Sequence, residues 1–326
     1  MLRKLSVTHE SWPLKKIFTI SRGSKASADT VYVEIAEGNH VGRGESVPYK
    51  RYGETISTVI SQIMTLKNSI ESGMNSEELL IALEAGAARN AIDCALWDLQ
   101  SKVDNIPVWK RLNKHVPSKI TSAMTIGMET PAIMAADALE YNKYDVLKLK
   151  LGSQDVIESV RAIRSVAPNP KLIIDANEAW NEKQIRAWQE ELFDLNVSLI
   201  EQPLPVGKDG CLNDFNHLIP ICADESCHTA KDIPQLTDKY DYVNLKLDKT
   251  GGLTEALRAK EQALLCDLGL MIGCMVATSL SMAPAILLTE NADFIDLDGP
   301  FLLDMDRQPS LIVGSNCLVY NSDIWG

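Results

Sequence analysis

Charged side chains recur at nearly constant spacing through the second half of this 326-residue chain, each just after a short apolar run. The six residues are Lys150, Asp175, Glu201, Asp224, Lys249 and Asp296. The steps between them are 25, 26, 23, 25 and 47 residues, and the last is about twice the others. A helix cap or a loop charge explains any one of them, but neither explains a shared period. The spacing predicts one charged residue at the end of each strand in a series of strand–helix units.

Three of these residues, Asp175, Glu201 and Asp224, are carboxylates on successive predicted strands. Because the carboxyl ends of parallel barrel strands open at one mouth, we expect the three side chains to meet there. Three carboxylates form an oxygen site for a hard divalent cation. Mg²⁺ fits best, since it takes few carboxylates and keeps room for water and substrate. The sequence therefore predicts one Mg²⁺ per subunit.

Lysines accompany these carboxylates. Lys148 and Lys150 lie on one face of the predicted strand Val146–Leu151, because alternate side chains of a strand share a face. Two ammonium groups inside a packed sheet would cost too much free energy unless they reach a mouth lined by acids. Lys150 precedes the metal strands and Lys249 follows them, so the two flank the site. That geometry suits removal of a proton from one face of a carbon and its return to the other, with lysines whose pKa is lowered by cationic neighbours.

The elements that must position these residues begin at about residue 118, where apolar runs start to alternate with amphipathic stretches. The runs are 120–126, 145–151, 171–175, 197–201, 219–223, 241–247, 270–273 and 292–297. Eight strands alternating with helices predict an α/β fold, a (β/α)7-8 TIM-like barrel at 118–299 that carries the catalytic residues. This span is short for a fold that typically takes roughly 250 residues, so one strand–helix unit is expected to be degenerate.

The first part of the chain has a different pattern. Residues 1–50 alternate in hydrophobicity around turn residues and predict an antiparallel meander. Residues 54–115 predict helices, most clearly Ala85–Val103, where apolar residues recur at three- and four-residue steps. We predict an N-terminal α+β capping domain at 1–115, joined by the C-terminal tail 300–326.

Composition excludes several classes of function. The chain has 44 acidic and 32 basic residues and a net charge of -12, which disfavours nucleic acid or an anionic membrane as a partner. No apolar run follows the charges at the start, and the apolar stretch 271–288 is broken by polar residues. We therefore expect neither a signal peptide nor a membrane span. Seven scattered cysteines fit a reducing, cytoplasmic location.

At these residues the sequence resembles the enolase superfamily, in its muconate-lactonising-enzyme-like branch, along essentially the whole chain. The segments that carry the resemblance are Lys148-Leu149-Lys150, Asp175-Ala176-Asn177, Glu201-Gln202-Pro203, Ala223-Asp224-Glu225-Ser226 and Lys249-Thr250-Gly251-Gly252. The resemblance implies that the three carboxylates bind Mg²⁺, that Lys150 and Lys249 are the acid/base pair, and that Lys148 helps to neutralise an enolate. Alternation from Tyr242 and Asn244 points Lys246 into the barrel, so alternation alone does not select Lys249. The family pattern makes that choice.

Within this branch, the segment from Asp296 to Pro300 resembles the D-x-D signature of dipeptide epimerases. The resemblance implies that Asp296 and Asp298 bind the α-ammonium group of a dipeptide by charge-assisted hydrogen bonds. A polar turn before Gly-Pro is the alternative interpretation. Loops containing Arg22, Lys25 and Tyr52 resemble those that close over the mouth in L-Ala-D/L-Glu epimerases. Lys25 stands where that subgroup carries a cation for the glutamate side chain, and a lysine there offers a point charge rather than a bidentate fork.

The resemblance thus implies a Mg²⁺-dependent isomerase that inverts the C-terminal residue of L-Ala-D/L-Glu-type dipeptides, in murein peptide metabolism, and that forms a homo-oligomer. Three alternatives stay within the superfamily: a cycloisomerase, an o-succinylbenzoate synthase or an N-acylamino-acid racemase. An epimerase for other dipeptides is a further one. A catalytically inactive metabolite-binding or scaffold protein is the alternative from another class.

Overall fold

The structure is a computed structural model that describes residues 2–115, 119–314 and 317–326. Its strands are β1 (Lys4–Ile20), β2 (Gly23–Glu37), β3 (His40–Ser46), β4 (Ile120–Thr121), β5 (Met124–Ile126), β6 (Val146–Lys150), β7 (Lys171–Asp175), β8 (Val197–Glu201), β9 (Ile221–Ala223), β10 (Tyr242–Leu245), β11 (Gly269–Gly273), β12 (Phe294–Asp296), β13 (Ile312–Val313) and β14 (Cys317–Leu318). Its α-helices are α1 (Ile56–Thr65), α2 (Lys67–Glu71), α3 (Ser76–Ala82), α4 (Ala87–Asp104), α5 (Val108–Arg111), α6 (Pro131–Glu140), α7 (Val156–Val166), α8 (Glu182–Asp194), α9 (Leu247–Thr250), α10 (Leu253–Leu265), α11 (Ser279–Ile286) and α12 (Gly299–Leu302).

The N-terminal strands β1, β2 and β3 form an antiparallel sheet in chain order, and α4 packs across it. Two glycines of β3 permit this close packing. A Cβ atom added at Gly42 or Gly44 would overlap the backbone carbonyl oxygen of Ala95 or Ala91 on α4. A side chain at either position would therefore force helix and sheet apart.

The barrel is a parallel sheet in the order β12-β11-β10-β9-β8-β7-β6-β5. A hydrogen bond of 2.8 Å from the Ala123 amide to the Ile295 carbonyl oxygen links its two edges. This arrangement confirms the predicted fold class. The units that follow β8 and β9 contain short 3₁₀ turns, Gly210–Asp214 and Ile233–Gln235, in place of α-helices. Two shortened units, rather than the one expected, explain how the barrel fits its short span.

Side chains inside the barrel form layers. The layer beneath the carboxyl ends of the strands is apolar and includes Ile173, Leu199 and Met271 in the middle of their strands. At the carboxyl ends, Lys150, Asp175 and Glu201 are paired in register on β6, β7 and β8. The apolar layer closes one end of the barrel, so the charged groups are accessible only from the other end.

Buried polar contacts join the N-terminal part to the barrel. Asp93 on α4 accepts hydrogen bonds from the Thr254 amide (2.9 Å) and hydroxyl (2.6 Å) on α10. Asp248 on α9 accepts from the Val47 amide and the Asn90 side chain, both at 2.9 Å. These bonds join α4 and the segment after β3 to the helices that follow β10.

We expect Asp248→Asn to change how stability depends on pH. Burial raises the pKa of Asp248 from 3.8 to about 7, so between those values the folded state keeps a proton that the unfolded state releases. The free energy of unfolding therefore falls as pH rises through this window, by up to about 1.4 kcal/mol per pH unit. Asparagine keeps the acceptor oxygen and removes the titration. Urea unfolding at pH 5 and pH 8 should show a smaller fall for the variant than for the wild type.

The exposed Asp238 provides the matched control, because Asp238→Asn should leave the pH slope unchanged. Equal slopes for Asp248→Asn and the wild type would contradict the prediction.

At the C-terminus, Trp325 donates a hydrogen bond from its indole nitrogen to the Cys94 carbonyl oxygen, and the Gly326 amide donates to Asp98, both partners lying on α4.

The predicted barrel boundary at residue 118 lies outside the described residues, and the domain boundaries stay a prediction. No described helix has the length and apolar character needed to cross a bilayer. Within the described residues, no disulfide bond joins any of the cysteines.

Candidate active site

The three predicted metal ligands meet at the barrel mouth. Asp175 and Glu201 end β7 and β8, and Asp224 follows β9 directly. Each offers a carboxylate oxygen, and these oxygens lie within 4.8 Å of one another. All three residues are at most 2% exposed. We call them the carboxylate cage.

The oxygen atoms around the cage suit a hard cation. Within the described ranges, buried side-chain oxygens of Asn177, Glu225 and Asp296 have no hydrogen-bond donor, and all three residues line one cavity with the cage residue Asp224. Buried oxygens without donors are costly, whereas oxygen atoms are the ligands that Mg²⁺ prefers. The cage residues would hold the ion.

Lysines set the charge state of the cage. Burial alone would raise the pKa of Asp175, but Lys150 at 2.5 Å and Lys148 at 3.3 Å outweigh it and hold that pKa below its usual range. Burial and the neighbouring Asp175 raise the pKa of Glu201 to about 7. Like charges are thus crowded here, and a divalent cation would relieve the crowding.

Lys148 lies at the centre of this acidic cluster. Its ammonium group is 2.6 Å from Glu201, 2.7 Å from Asp296 and 3.3 Å from Asp175. Burial opposes its charge, but these carboxylates raise its pKa well above the usual value. The side chain is a permanently charged electrostatic group, which suits stabilisation of a negative charge that develops nearby.

Two other lysines approach the cage from opposite sides. Lys150 ends β6, and Lys246 directly follows β10, four strands further around an eight-stranded barrel. The Lys246 ammonium lies 2.5 Å from an oxygen of Asp224, as Lys150 does from Asp175. Both lysines line the cavity. A substrate carbon between them would have one amine on each face.

Lys249, which the family pattern suggested as the second acid/base residue, lies outside the cavity. Its side chain is 0% exposed, and in the described part of the chain it is not among the residues that line the cavity. The ammonium group donates to the Asp224 carbonyl oxygen (2.5 Å), the Asp224 carboxylate (2.6 Å) and the Asn244 carbonyl oxygen (2.8 Å). With three acceptors for its three protons, Lys249 holds Asp224 from behind the cage.

The cavity above the cage has a volume of about 720 Å³ and is lined by both parts of the chain, which is ample for a small ligand. Asp296 and Asp298, the expected ammonium ligands, lie in its wall. Asp298 accepts from the Thr125 amide at 2.7 Å. Burial, together with Asp296, raises the pKa of Asp298 to about 7.

The predicted loop residues also line this cavity. Lys25 is half-buried, and no ion pair links its ammonium to an acid within the described ranges. Burial and Lys150 lower its pKa, so an anionic ligand group would stabilise its charge. Tyr52 packs its ring edge-to-face against His228 at 4.5 Å, which forms a rigid wall.

Arg22, an expected substrate-binding residue, is already paired with protein groups. Its guanidinium donates to Glu225 (2.7 Å), the Tyr49 hydroxyl (2.9 Å) and the Asn177 carbonyl oxygen (3.1 Å). These bonds tie the loop after β1 to the loops after β7 and β9. Arg22 therefore closes the rim of the cavity with its charge already paired.

The sequence-based choice of site residues omitted Lys246, Glu225 and Asn244. Strand alternation was a signal for Lys246. Asn244, which alternation also points inward, donates to Glu201 at 2.8 Å. No local signal marks Glu225, because its partner Arg22 is 203 residues away in the chain.

Comparison with known proteins gives the following matches. Residues 2–112 match the model of the mandelate racemase/muconate lactonizing enzyme N-terminal domain, and residues 132–309 match that of the enolase C-terminal domain-like family. An L-Ala-D/L-Glu epimerase of Escherichia coli (strain K12) is 43% identical over 95% of this chain and 97% of its own. An N-acetyl-D-glutamate racemase of Pseudoalteromonas sp is 47% identical over 85% of this chain and 89% of its own.

The fold of the chain is also similar to that of solved structures. An enolase family member from Agrobacterium tumefaciens, described as homologous to dipeptide epimerases and holding sodium and L-Ala-L-Glu, superposes with a TM-score of 0.97 and 43% identity, covering 99% of this chain and 100% of that one. A dipeptide epimerase from Enterococcus faecalis V583, in complex with Mg and L-Leu-L-Tyr, has a TM-score of 0.88 and 30% identity, with 98% of each chain covered.

Proposed function

The chain belongs to the mandelate racemase/muconate lactonizing enzyme family of the enolase superfamily, and from that membership we propose that it is a Mg²⁺-dependent isomerase that epimerises the glutamate residue of L-Ala-D/L-Glu dipeptides. The observation that carries the proposal is the pair Lys150 and Lys246 on opposite sides of the carboxylate cage in one cavity. The similarity of the chain to two isomerases of glutamate derivatives, the L-Ala-D/L-Glu epimerase and the N-acetyl-D-glutamate racemase, supports the choice of substrate class.

The reaction is a 1,1-proton transfer. One lysine, as the free amine, takes the α-proton of the C-terminal residue, and the other, as ammonium, gives a proton to the opposite face. Their roles exchange in the reverse direction, so no net proton is gained or lost. Mg²⁺ held by Asp175, Glu201 and Asp224 would act as a Lewis acid towards the substrate carboxylate. Lys148 stabilises the negative charge that develops when the α-proton leaves.

Other residues of the cavity have charges that suit the two ends of the substrate. Asp296 and Asp298 would bind the α-ammonium group, and Lys25 the glutamate side-chain carboxylate. Tyr52 would pack against the dipeptide, while Arg22 holds the rim closed. These roles follow from charge complementarity within one cavity.

A second candidate substrate is N-acetylglutamate, favoured by the 47% identity to the N-acetyl-D-glutamate racemase. This molecule shares the N-acylated glutamate of the dipeptide but lacks its ammonium group. Two buried acids facing the cavity have no partner in such a substrate, which favours the dipeptide.

The experiment is to incubate the wild-type protein in D₂O with Mg²⁺ and either L-Ala-L-Glu or N-acetyl-D-glutamate, and to score α-deuterium by mass spectrometry. We expect faster exchange into the dipeptide. In Asp298→Asn, which keeps an acceptor for the Thr125 amide, dipeptide turnover should fall by roughly 10- to 100-fold, the value of one charge-assisted hydrogen bond. Exchange into N-acetylglutamate should not fall with it.

Equal loss with both substrates would contradict ammonium binding at Asp298. Absence of Mg²⁺-dependent exchange into either compound would show that the proposed function is wrong.

We also propose a cytoplasmic location and a homo-oligomeric state. The lack of disulfide bonds among the described cysteines supports the former. Where soluble proteins do assemble, closed symmetric homo-oligomers are the commonest form. Sedimentation of the purified protein measures the latter.

A further inference from the structure

We propose that Gln202 is a positioning residue that fixes Asp224 relative to Glu201 and thereby sets the affinity of the cage for Mg²⁺. The inference rests on the proposed Mg²⁺ function. Gln202 directly follows Glu201, is 0% exposed, and does not itself belong to the cage.

The main-chain pairing between β8 and β9 ends at this residue. The Gln202 amide donates to the Cys222 carbonyl oxygen at 2.8 Å. Gln202 then adopts a left-handed backbone with φ of 35°, which is unfavourable for a residue with a side chain and turns the chain away from β9. Asp224 therefore lies beyond the last backbone bond between these two strands.

The Gln202 side chain continues the pairing where the backbone leaves off. Its Oε1 atom accepts from the amides of Asp224 (2.9 Å) and Ser226 (3.0 Å). These amides flank the turn that carries Asp224 and Glu225. One side-chain oxygen of Gln202 thus holds the turn that carries the cage residue Asp224.

The orientation of this amide is determined by its partners. Nε2 donates to the Leu204 carbonyl oxygen (2.9 Å), the Ser226 hydroxyl (3.0 Å) and the Tyr240 hydroxyl (3.0 Å). The Tyr240 hydroxyl in turn donates to Asp209 at 2.8 Å. Rotating the amide by 180° would place Oε1 against a carbonyl oxygen and Nε2 against two N–H groups, so only one orientation satisfies the network.

Because Gln202 is neutral, its removal changes the cage through geometry rather than through charge. Partners that orient metal ligands typically contribute 10- to 100-fold to metal affinity or activity. The buried amides of Asp224 and Ser226 would lose their acceptor, and the turn would no longer be fixed with respect to Glu201. We expect Gln202→Met, which keeps the volume and removes the hydrogen bonds, to weaken Mg²⁺ binding about tenfold or more.

A matched control is Gln189 on α8, another buried glutamine, whose Oε1 accepts from the Leu218 amide at 2.9 Å. Gln189→Met removes a comparable bond on the outside of the barrel. Thermal unfolding in EDTA should show destabilisation of both variants. Titration calorimetry of the metal-free proteins with MgCl₂ should show weaker binding only for Gln202→Met.

Saturating Mg²⁺ should restore most of the deuterium exchange in Gln202→Met, since its proton-transfer lysines are intact. A folded Gln202→Met protein with wild-type Mg²⁺ affinity would overturn the inference. So would an equal loss of affinity in Gln189→Met.

If Gln202→Met does not fold, Tyr240→Phe replaces it, because that variant removes one acceptor of the Gln202 Nε2 atom and should weaken Mg²⁺ binding to a lesser degree. Unchanged affinity in Tyr240→Phe would then overturn the inference.

The wild-type titration separates this inference from the proposed function. If the wild type does not bind Mg²⁺, both are wrong. If the wild type binds Mg²⁺ and exchanges dipeptide protons while Gln202→Met binds equally well, only the role of Gln202 is wrong.

Discussion

Lys246→Ala is expected to abolish deuterium exchange from one epimer of L-Ala-Glu while exchange from the other epimer continues. The reason is geometric: Lys246 and Lys150 lie four strands apart around an eight-stranded barrel, so each reaches one face of a substrate carbon. With one amine left, the α-proton on its side can still exchange, but inversion is blocked. Epimerisation should fall by roughly 10²–10⁴-fold, the usual contribution of a general acid/base group.

Lys150→Ala is the mirror control and should block exchange from the opposite epimer. Proton-transfer kinetics in D₂O, followed by mass spectrometry for each epimer separately, measure both effects. Loss of exchange from both epimers in either variant would argue against one base on each face.

Lys249→Met distinguishes the structural assignment from the one based on the family pattern. Because Lys249 contacts Asp224 and does not reach the cavity, its loss should slow exchange from both epimers to the same extent. It should also lower stability by about 3–5 kcal/mol, as expected when one partner of a buried ion pair is removed. Exchange lost from one epimer alone would restore Lys249 as the second acid/base residue.

Glu201→Gln is expected to abolish Mg²⁺ binding and, in metal-free conditions, to stabilise the protein. The variant loses a cage charge, so activity should fall by roughly 10³-fold or more. Stability should rise because Glu201 is ionised next to Asp175 at a cost, its pKa being raised to about 7 by burial and that neighbour. An acid with a raised pKa reduces stability as pH rises through the window between its ordinary and folded values.

The local structure can accommodate the amide. Asn244 donates to Glu201 at 2.8 Å, and its own side-chain oxygen has no donor within the described ranges. A rotated Asn244 amide would therefore accept from the new glutamine, whose oxygen keeps the contact to Lys148. At pH 8 in EDTA we expect Tm to rise by ~2 °C or more.

Differential scanning calorimetry with EDTA and with MgCl₂ measures both effects. Glu190→Gln, at an exposed position on α8, is the control and should alter neither Tm nor the response to Mg²⁺. A Glu201→Gln protein that is stabilised by Mg²⁺ as strongly as the wild type would contradict the cage.

The sequence predicted most of what depends on periodicity. Strand-length apolar runs located the eight barrel strands, and the constant step placed Asp175, Glu201 and Asp224 at one mouth. Strand periodicity no longer predicts the direction of a side chain beyond Lys246, because β10 ends at Leu245 and the helical turn α9 begins at Leu247. Lys246 continues the alternation of the strand, whereas Lys249 lies in the helical turn α9, where the turn geometry sets its direction.

Contacts between distant segments were beyond local patterns. The Arg22–Glu225 ion pair joins the loop after β1 to the loop after β9. The side-chain contacts from Gln202 to the turn that carries Asp224 depend on how β8 and β9 end. The shortened units after β8 and β9 were also underestimated, because 3₁₀ turns carry no amphipathic repeat.

Part of the cavity wall comes from the N-terminal loops that carry Arg22, Lys25 and Tyr52, whereas the reactive lysines and the carboxylate cage come from the barrel. Substitutions that drift through these loops can alter which molecule is admitted without disturbing the lysines that handle its proton. Evolution can therefore change substrate specificity and catalytic chemistry separately. A few substitutions in these loops could give a descendant of this protein a new substrate while its catalytic residues stay the same.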